Sequence, residues 1–487
     1  MARRRRGRYT RHVIAPGSTS RFDPLFASVS AASLGAFRIV FGLMMAWHLA
    51  RYMPYVTETL PASKFFLTFD GFHWVRILPQ PWLVGLFVVM FTACALVAVG
   101  TLYRPAIVTL WLGWTYTLLL CRGHYNNHSY LFALIAFLMI FVDATRWGSL
   151  ERALAGHRRP PALIPYWQLF VLRAQIFVVY FYAGIAKLGG DWLHGFPMKI
   201  WLLRKEHYPV VGPWLATDTA AYLFSYGGLV FDLAIGFALF SRRTRRWALI
   251  PLLFFHLTNA WLWHIGIFPW FMLAATLLFF DPDWPERAWR RISRRGGAPA
   301  PVTTAPVGER HRTAVALGLG IYFTWQALFP LRHLLYPGPP EWHGQGNLFS
   351  WRMLTVERAH AVRVRVGMKG DVTVGYVKLD EYVNDIQFSK MNRMPKSYLR
   401  FAHFLGDEMS RNAGIDDAAI YVDAKRRLNE RPYQQLFDPE RDMTRVEYRP
   451  FANAGYILPF DAGVAAGSEP GWRARARASP HKDPSLW

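Results

Sequence analysis

The chain has 487 residues, of which 53% are hydrophobic, 16% aromatic and only 18% charged, with a formal net charge of +24. So apolar a composition excludes an ordinary string of soluble domains. The charge would suggest nucleic acid in a soluble protein, but it lies in short segments between apolar runs, and that placement excludes nucleic acid as the partner.

Residues 1–30 form a basic segment that opens "MARRRRGRYTR". Apolar windows follow at 31–50, 81–100, 106–121, 128–144, 163–185, 220–240, 247–262, 265–280 and 313–332. Each approaches the roughly 17–25 residues a bilayer demands, which predicts about nine helices over 31–333. The first run is too long for the apolar region of a signal peptide and reads as a retained span. Basic stretches "TRWGSLERALAGHRR", "RRTRR" and "ERAWRRISRR" follow the fourth, sixth and eighth windows. With the N-terminus in the cytoplasm all of them fall on the cytoplasmic side, as the positive-inside rule requires.

From residue 334 the long apolar runs stop, and 334–465 reads as an extracytoplasmic α+β domain. "HAVRVRVGMKGDVTVGYVKL" alternates as two strands joined through Gly367 to Gly370, "PKSYLRFAHFLGDEMSRNAG" is an amphipathic helix ending at Gly414, and "AAIYVDAKRRL" is a further strand. Residues 466–487 mix turn formers and charges without periodicity and are expected to be a disordered tail. The fold class expected is therefore a membrane all-α multi-span bundle with a C-terminal extracytoplasmic α+β domain. Cys94 and Cys121 both lie inside apolar windows, so no disulfide framework or cysteine-based zinc site is expected. No internal repeat is visible.

Polar residues at membrane depth are costly, so their convergence is informative. Lys187, in "YFYAGIAKLGGDW", ends the fifth window at the outer face, and "HYNNHSY" puts Asn127 and His128 at the outer start of the fourth. "FFHLTNAWLWHIG" carries His256, Asn259 and His264 toward the outer end of the seventh, and His333 ends the ninth. Each has a plain alternative. Lys187 alone reads equally as a snorkelling anchor, His128 as a helix-end imidazole, His256 and His264 as bonds to neighbouring helices, and Asp232 as a structural acceptor. Asn127-His128-Ser129 is a glycosylation sequon, but its position against the membrane disfavours modification. His256 and His264, eight residues apart, lack the i, i+4 spacing of a helical metal pair, and no metal site is expected. There is no phosphate loop, no dinucleotide fingerprint and no G-x-S-x-G elbow.

Together these residues resemble a known family. "YFYAGIAKLGGDWLHG", "NNHSYLF" and "FFHLTNAWLWHIGIFPWFMLAATLLFFDPDWP" are similar to blocks of the vitamin K-dependent gamma-carboxylases, whose membrane part is called the HTTM domain. "NLFSWRML", "AAIYVDAKRRLNERPYQQLFDPERDM" and "YRPF" resemble the luminal part of that family, and the likeness runs over roughly residues 30 to 460 in a single order. The resemblance implies an integral-membrane enzyme. It would oxidise vitamin K hydroquinone to its epoxide with oxygen, and use the energy to remove a γ-proton from a protein glutamate that then takes up carbon dioxide. Neither biotin nor a metal is implied. The partners implied are membrane lipid, a prenylated quinone such as reduced menaquinone and a glutamate-containing polypeptide.

The resemblance assigns the catalytic base to Lys187, with His128 and Asn127 as further catalytic residues, and an ungapped alignment of the "FSW" block adds His333, Trp342 and Arg358. A free lysine is protonated at neutral pH and is no base, but desolvation favours the neutral amine, and a membrane pocket supplies it. His128 and Asn127 could hold the quinone oxygens or steady an oxyanion. The sequence also departs from the family pattern. Val356 stands where a histidine is expected, Arg352 replaces an acid, the cysteines of the eukaryotic disulfide are missing, and the later luminal structure of the eukaryotic enzymes is expected to be reduced. Quinol oxidation without protein carboxylation is therefore the first alternative, and a transporter using the outer polar cluster as a solute site is the second. With arginine far outnumbering lysine, a bacterial inner membrane is the expected location.

Overall fold

The structure is a computed structural model that describes residues 23–155, 162–293, 308–368, 372–413, 415 and 417–478. A helix fills each of the nine apolar windows: α1 (Ala32–Pro54), α2 (Gln80–Val99), α3 (Tyr103–Leu120), α4 (Asn127–Ile140), α5 (Trp167–Ile185), α6 (Asp218–Phe240), α7 (Arg245–Trp263), α8 (Phe268–Thr276) and α9 (Glu309–Leu328). Among the described residues, five helices are long and apolar enough to cross a membrane: those built on α1, α2, α5, α6 and α9. Polar residues dilute α3 (Arg104) and α7 (Arg245, His256, Asn259), and α4 and α8 are short. The nine windows therefore contain five qualifying spans.

The ends of the helices sort onto two faces. On one, strand β1 (Ser28–Ser30) pairs antiparallel with β2 (Leu163–Pro165), the Ser33 N–H donates to the Pro282 carbonyl at 2.9 Å, and Arg312 pairs with Asp23 at 2.9 Å. The described parts of the arginine-rich connections attach here. Arg38 of α1, fully buried, donates from this end to the carbonyls of Val97, Ala98, Ala144 and Gly148 at 2.5–3.1 Å. Its guanidinium thus satisfies carbonyls at the end of α2 and in the turn after α4, which water would otherwise have to reach. Gly100 is required there on two counts. Its φ of 76° is left-handed, and a Cβ would stand 2.5 Å from the Arg38 guanidinium.

The opposite face carries the C-terminal domain. Its antiparallel sheet has the order β4-β3-β5-β6, built from β3 (Arg358–Met368), β4 (Val372–Tyr376), β5 (Ala419–Leu428) and β6 (Gln434–Gln435). The expected hairpin and third strand are these first three strands; the turn at 369–371 lies outside the described residues. Inward-facing Val364, Val366, Ile420, Val422 and Ala424 are buried, as the two-residue period of a strand requires. Helix α10 (Asp385–Arg393) starts on a capping box between Asn384 and Gln387. The expected amphipathic helix is α11 (Lys396–Ala413), which buries Tyr398, Leu399, Phe401 and Leu405; Gly414 lies outside the described residues.

No apolar boundary separates this domain from the bundle. One buried cluster runs from Phe26 through Leu67 and Phe132 to Val364, Phe401 and Ile457. Polar clamps reinforce it. Asp191 accepts from both terminal nitrogens of Arg431 at 2.7 Å, Glu357 accepts from Arg204 at 2.6 Å and from Trp201 at 2.8 Å, and Tyr448 donates to Asp70 at 2.6 Å.

The expectation of a disordered tail over 466–487 is corrected for its first part. Trp472–Arg477 forms a helix, α12, whose Trp472 is buried with its ring 5.8 Å from that of Phe196. Arg473 pairs with Asp218 at 2.8 Å and Arg477 with Glu206 at 2.6 Å. A single aromatic anchor is enough to dock a short segment, and an average over charged neighbours conceals it. Residues 479–487 lie outside the described residues.

Candidate active site beneath the C-terminal domain

A cavity of about 860 Å³ lies where one end of the bundle meets the C-terminal domain. Its membrane side is apolar, with Val179, Phe231, Phe254 and Phe255 among its walls, and its roof comes from the loop before β3, from β3 and from α10. The cavity brings together six of the nine residues singled out in the sequence: Lys187, Asn127, His128, His256, Asn259 and Arg358. The other three are elsewhere. His264 is exposed at the end of α7, and His333 bonds the Pro330 carbonyl through Nδ1 at 2.9 Å. Trp342 is buried in the C-terminal domain, its indole N–H on the Leu458 carbonyl at 2.7 Å.

The motif that carries Lys187 works as a unit. Helix α5 stops at Ile185, and the following turn runs through Gly189 and Gly190 into a short helix, Gly190–Leu193. Asp191 of that helix clamps the C-terminal domain, while Trp192 donates its indole N–H to the Ser225 carbonyl at 2.7 Å and turns its ring to Lys187, 5.3 Å from Nζ. Lys187 is buried, not snorkelling, and Nζ donates to Asp232 Oδ2 at 2.6 Å and to the Ala183 carbonyl at 3.1 Å. The amine is therefore desolvated, as expected, but it is not alone. A buried carboxylate from α6 meets it, so the site accommodates a proton arriving on nitrogen. Sequence reasoning took Asp232 only as a structural acceptor. The signal available was a second, opposite charge in a neighbouring apolar window.

Asn126 caps α4, its side chain accepting from the Ser129 N–H at 2.8 Å, so Asn127 and His128 sit in the first turn beside the cavity. Ser129, the sequon hydroxyl residue, is fully buried. Asn127 Oδ1 accepts from the Tyr125 hydroxyl at 2.8 Å. The His128 ring stands 5.7 Å from that of His48, in α1, and 6.3 Å from that of Phe268. His256 is fixed by the Tyr180 hydroxyl at 2.7 Å from Nε2. His48 and Tyr180 were not singled out in the sequence: His48 stands alone in an apolar helix, and Tyr180 opens the "YFYAGIAKLGGDW" stretch, which was read for its lysine.

The roof is strongly cationic. Arg358, His360, Lys390 and Arg393 line it. Burial pulls the Arg358 guanidinium down to about 10, against the opposing effect of Glu341. Burial also lowers Arg393, with Arg358 adding repulsion, and lowers Lys390, with Arg393 adding repulsion. Arg426, behind them, is brought down to about 9 by burial and then by Arg358. Arg358 and Arg426 remain protonated at neutral pH, and the crowding of basic groups is one that an incoming anion would relieve. Arg352, the cation that replaces the expected acid, is engaged by Glu341 at 2.5 Å. Val356 lines the cavity as an apolar wall, and His360, two residues beyond Arg358, is the imidazole that β3 supplies to the roof. Among the described residues, no group of three histidine, cysteine or acidic side chains could hold a metal ion.

A bundle of apolar helices with a buried lysine at the end roofed by an α+β domain has the architecture of a membrane protein with a folded cap. Residues 26–284 match the model of the HTTM domain, and residues 311–463 match that of the vitamin K-dependent gamma-carboxylase lumenal domain. The chain belongs to the vitamin K-dependent gamma-carboxylase family. No solved structure matches it.

Proposed function

We propose that the protein oxidises vitamin K hydroquinone to the epoxide and couples this to carboxylation of a glutamyl residue. The observation that carries the reading is that Lys187, His128 and Asn127 share one cavity with the cationic roof. The cavity residues suit the quinol: aromatic walls for a fused ring and prenyl tail on the membrane side, and the amine of Lys187, the imidazoles of His128 and His256 and the amides of Asn127 and Asn259 as polar partners. When bound, the quinol supplies the reducing equivalents: quinol and oxygen become epoxide and water, while the glutamyl C–H and carbon dioxide become a second carboxyl group. The protein's own part is acid–base and electrostatic. Lys187 accepts the hydroxyl proton of the quinol, and Asp232 stabilises the ammonium that results. Asn127 and His128 orient the quinol oxygens. Arg358, Arg393 and Lys390 receive the glutamyl carboxylate, and the buried roof keeps water from the carbanion.

Val356, and Arg352 engaged by Glu341, favour a second reading in which quinol oxidation proceeds without carboxylation. The two are separated by supplying vitamin K hydroquinone, oxygen, labelled bicarbonate and a short glutamate-rich peptide, then measuring epoxide and fixed label independently. Label in proportion to epoxide is the expected result. Epoxide alone supports the second reading, and neither product leaves solute transport as the function to test.

We further propose nine spans in a bacterial inner membrane, with the N-terminus inside and the C-terminal domain outside, because the arginine-rich connections gather on one face. Reporter fusions after Arg246 and after Gly370 are expected to lie in opposite compartments; matching signals would overturn the arrangement.

A further inference from the structure

We infer that Tyr125 is a positioning residue, through which the seated C-terminal domain sets the direction of the Asn127 amide. Tyr125 lies in the loop before α4, and its side chain is buried. Three links meet on it. Its hydroxyl accepts the Phe349 backbone N–H at 2.7 Å and donates to Asn127 Oδ1 at 2.8 Å, and its carbonyl accepts from Lys390 Nζ at 2.9 Å. Its ring also packs edge-on against Phe349, with centroids 4.7 Å apart. Phe349 and Lys390 belong to the C-terminal domain, and Asn127 to the bundle.

The direction of these bonds is not arbitrary. A backbone N–H only donates, so the Phe349 bond occupies a lone pair of the hydroxyl and leaves its single proton for Asn127. That proton requires an oxygen, which fixes which edge of the amide is carbonyl and which is NH₂. The Asn127 NH₂ is thereby turned away from Tyr125. Among the described residues its one hydrogen-bond partner is the Arg352 carbonyl at 3.5 Å, the long limit of a hydrogen bond. A donor is thus held in readiness at the cavity wall for an oxygen acceptor. Without the Phe349 N–H, the hydroxyl proton could swing elsewhere and the amide could flip, presenting an acceptor to the same ligand atom. Docking of the C-terminal domain therefore determines the polarity of a group in the membrane half of the site.

The inference rests on the reading that Asn127 faces the quinone oxygens, and the experiment tests the two separately. Affinity of the purified full chain for a short-chain menaquinone is measured by tryptophan quenching, in a cycle of Tyr125→Phe, Asn127→Ala and the double variant, with a melting temperature for each. Tyr125→Phe is expected to weaken binding roughly tenfold, the size of one well-aligned hydrogen bond, and to add less than about twofold in the Asn127→Ala background. Tyr125→Trp, which keeps a ring-edge N–H donor, is expected to stay within about threefold of the parent. A tenfold loss that persists without the Asn127 amide overturns the inference, since Tyr125 would then act by another route. Equal losses for the Trp and Phe variants overturn it as well. Asn127→Ala with unchanged affinity overturns it through the quinone reading itself. If the Phe variant does not fold, Tyr125→Met takes its place in the same cycle.

Discussion

Lys187→Met is expected to lower hydroquinone oxidation at neutral pH by roughly 10²- to 10⁴-fold, the contribution of one positioned general base. Methionine keeps the length and apolar stem of the side chain, so Trp192 and Ala183 retain a neighbour. The carboxyl of Asp232, buried and left without its partner, takes up a proton and does not remain charged. The variant should therefore still fold, and a thermal unfolding trace separates lost chemistry from lost structure. In the shorter Lys187→Ala, small primary amines added to the assay should restore part of the activity, because the volume vacated there adjoins the cavity. A folded variant with near-normal epoxide formation would reduce Lys187 to a structural role and remove the basis of the proposed reaction.

Asp232→Leu is expected to destabilise the bundle. It leaves the Lys187 nitrogen, 2.6 Å from the carboxyl in the parent, buried without its hydrogen-bond partner, at a cost on the order of 1–3 kcal/mol. Replacing both partners, Lys187→Met with Asp232→Leu, should recover most of that loss, since a packed apolar pair is often as stable as a buried hydrogen-bonded polar pair. The double variant should nevertheless be inactive. Denaturation midpoints of the four proteins in detergent form the cycle. If the two single losses simply add in the double variant, the groups are not coupled as the structure indicates. If the double variant is both stable and active, the pair is dispensable to the chemistry.

Much of this was legible in the sequence because it rests on local patterns. Apolar length located all nine helices, and alternation located β3, β4 and β5. The convergence of Lys187, Asn127, His128, His256 and Asn259 on one cavity was expected from their placement at one end of the apolar windows. The roof was not legible in the same way. Lys390 and Arg393 occupy a short polar helix in which cations are ordinary, and only the packing of α10 over the cavity makes them unusual. Tyr125 was hidden for a related reason, since its role depends on Phe349, 224 residues away. His333 and Trp342 were carried over from an aligned block, and proximity in sequence to Arg358 did not bring them to the cavity. The first part of the tail was misread because one buried indole, Trp472, outweighs the composition around it.

The Asp191–Arg431, Arg204–Glu357 and Asp70–Tyr448 links also bear on where the chain can be recombined with relatives. A chimera joined near residue 334 would exchange one side of every link and retain the other, stranding carboxylates and guanidinium groups that the parent holds in pairs. Asp191 lies four positions from Lys187 and beside Trp192, so a mismatched roof would disturb the segment that presents the amine. A workable junction has to carry the "GGDW" turn, the short helix Met198–Leu203 with Arg204, and the loop around Asp70 together with the roof. The functional unit of inheritance is thus the interlocked pair, and neither half can be traded without the other.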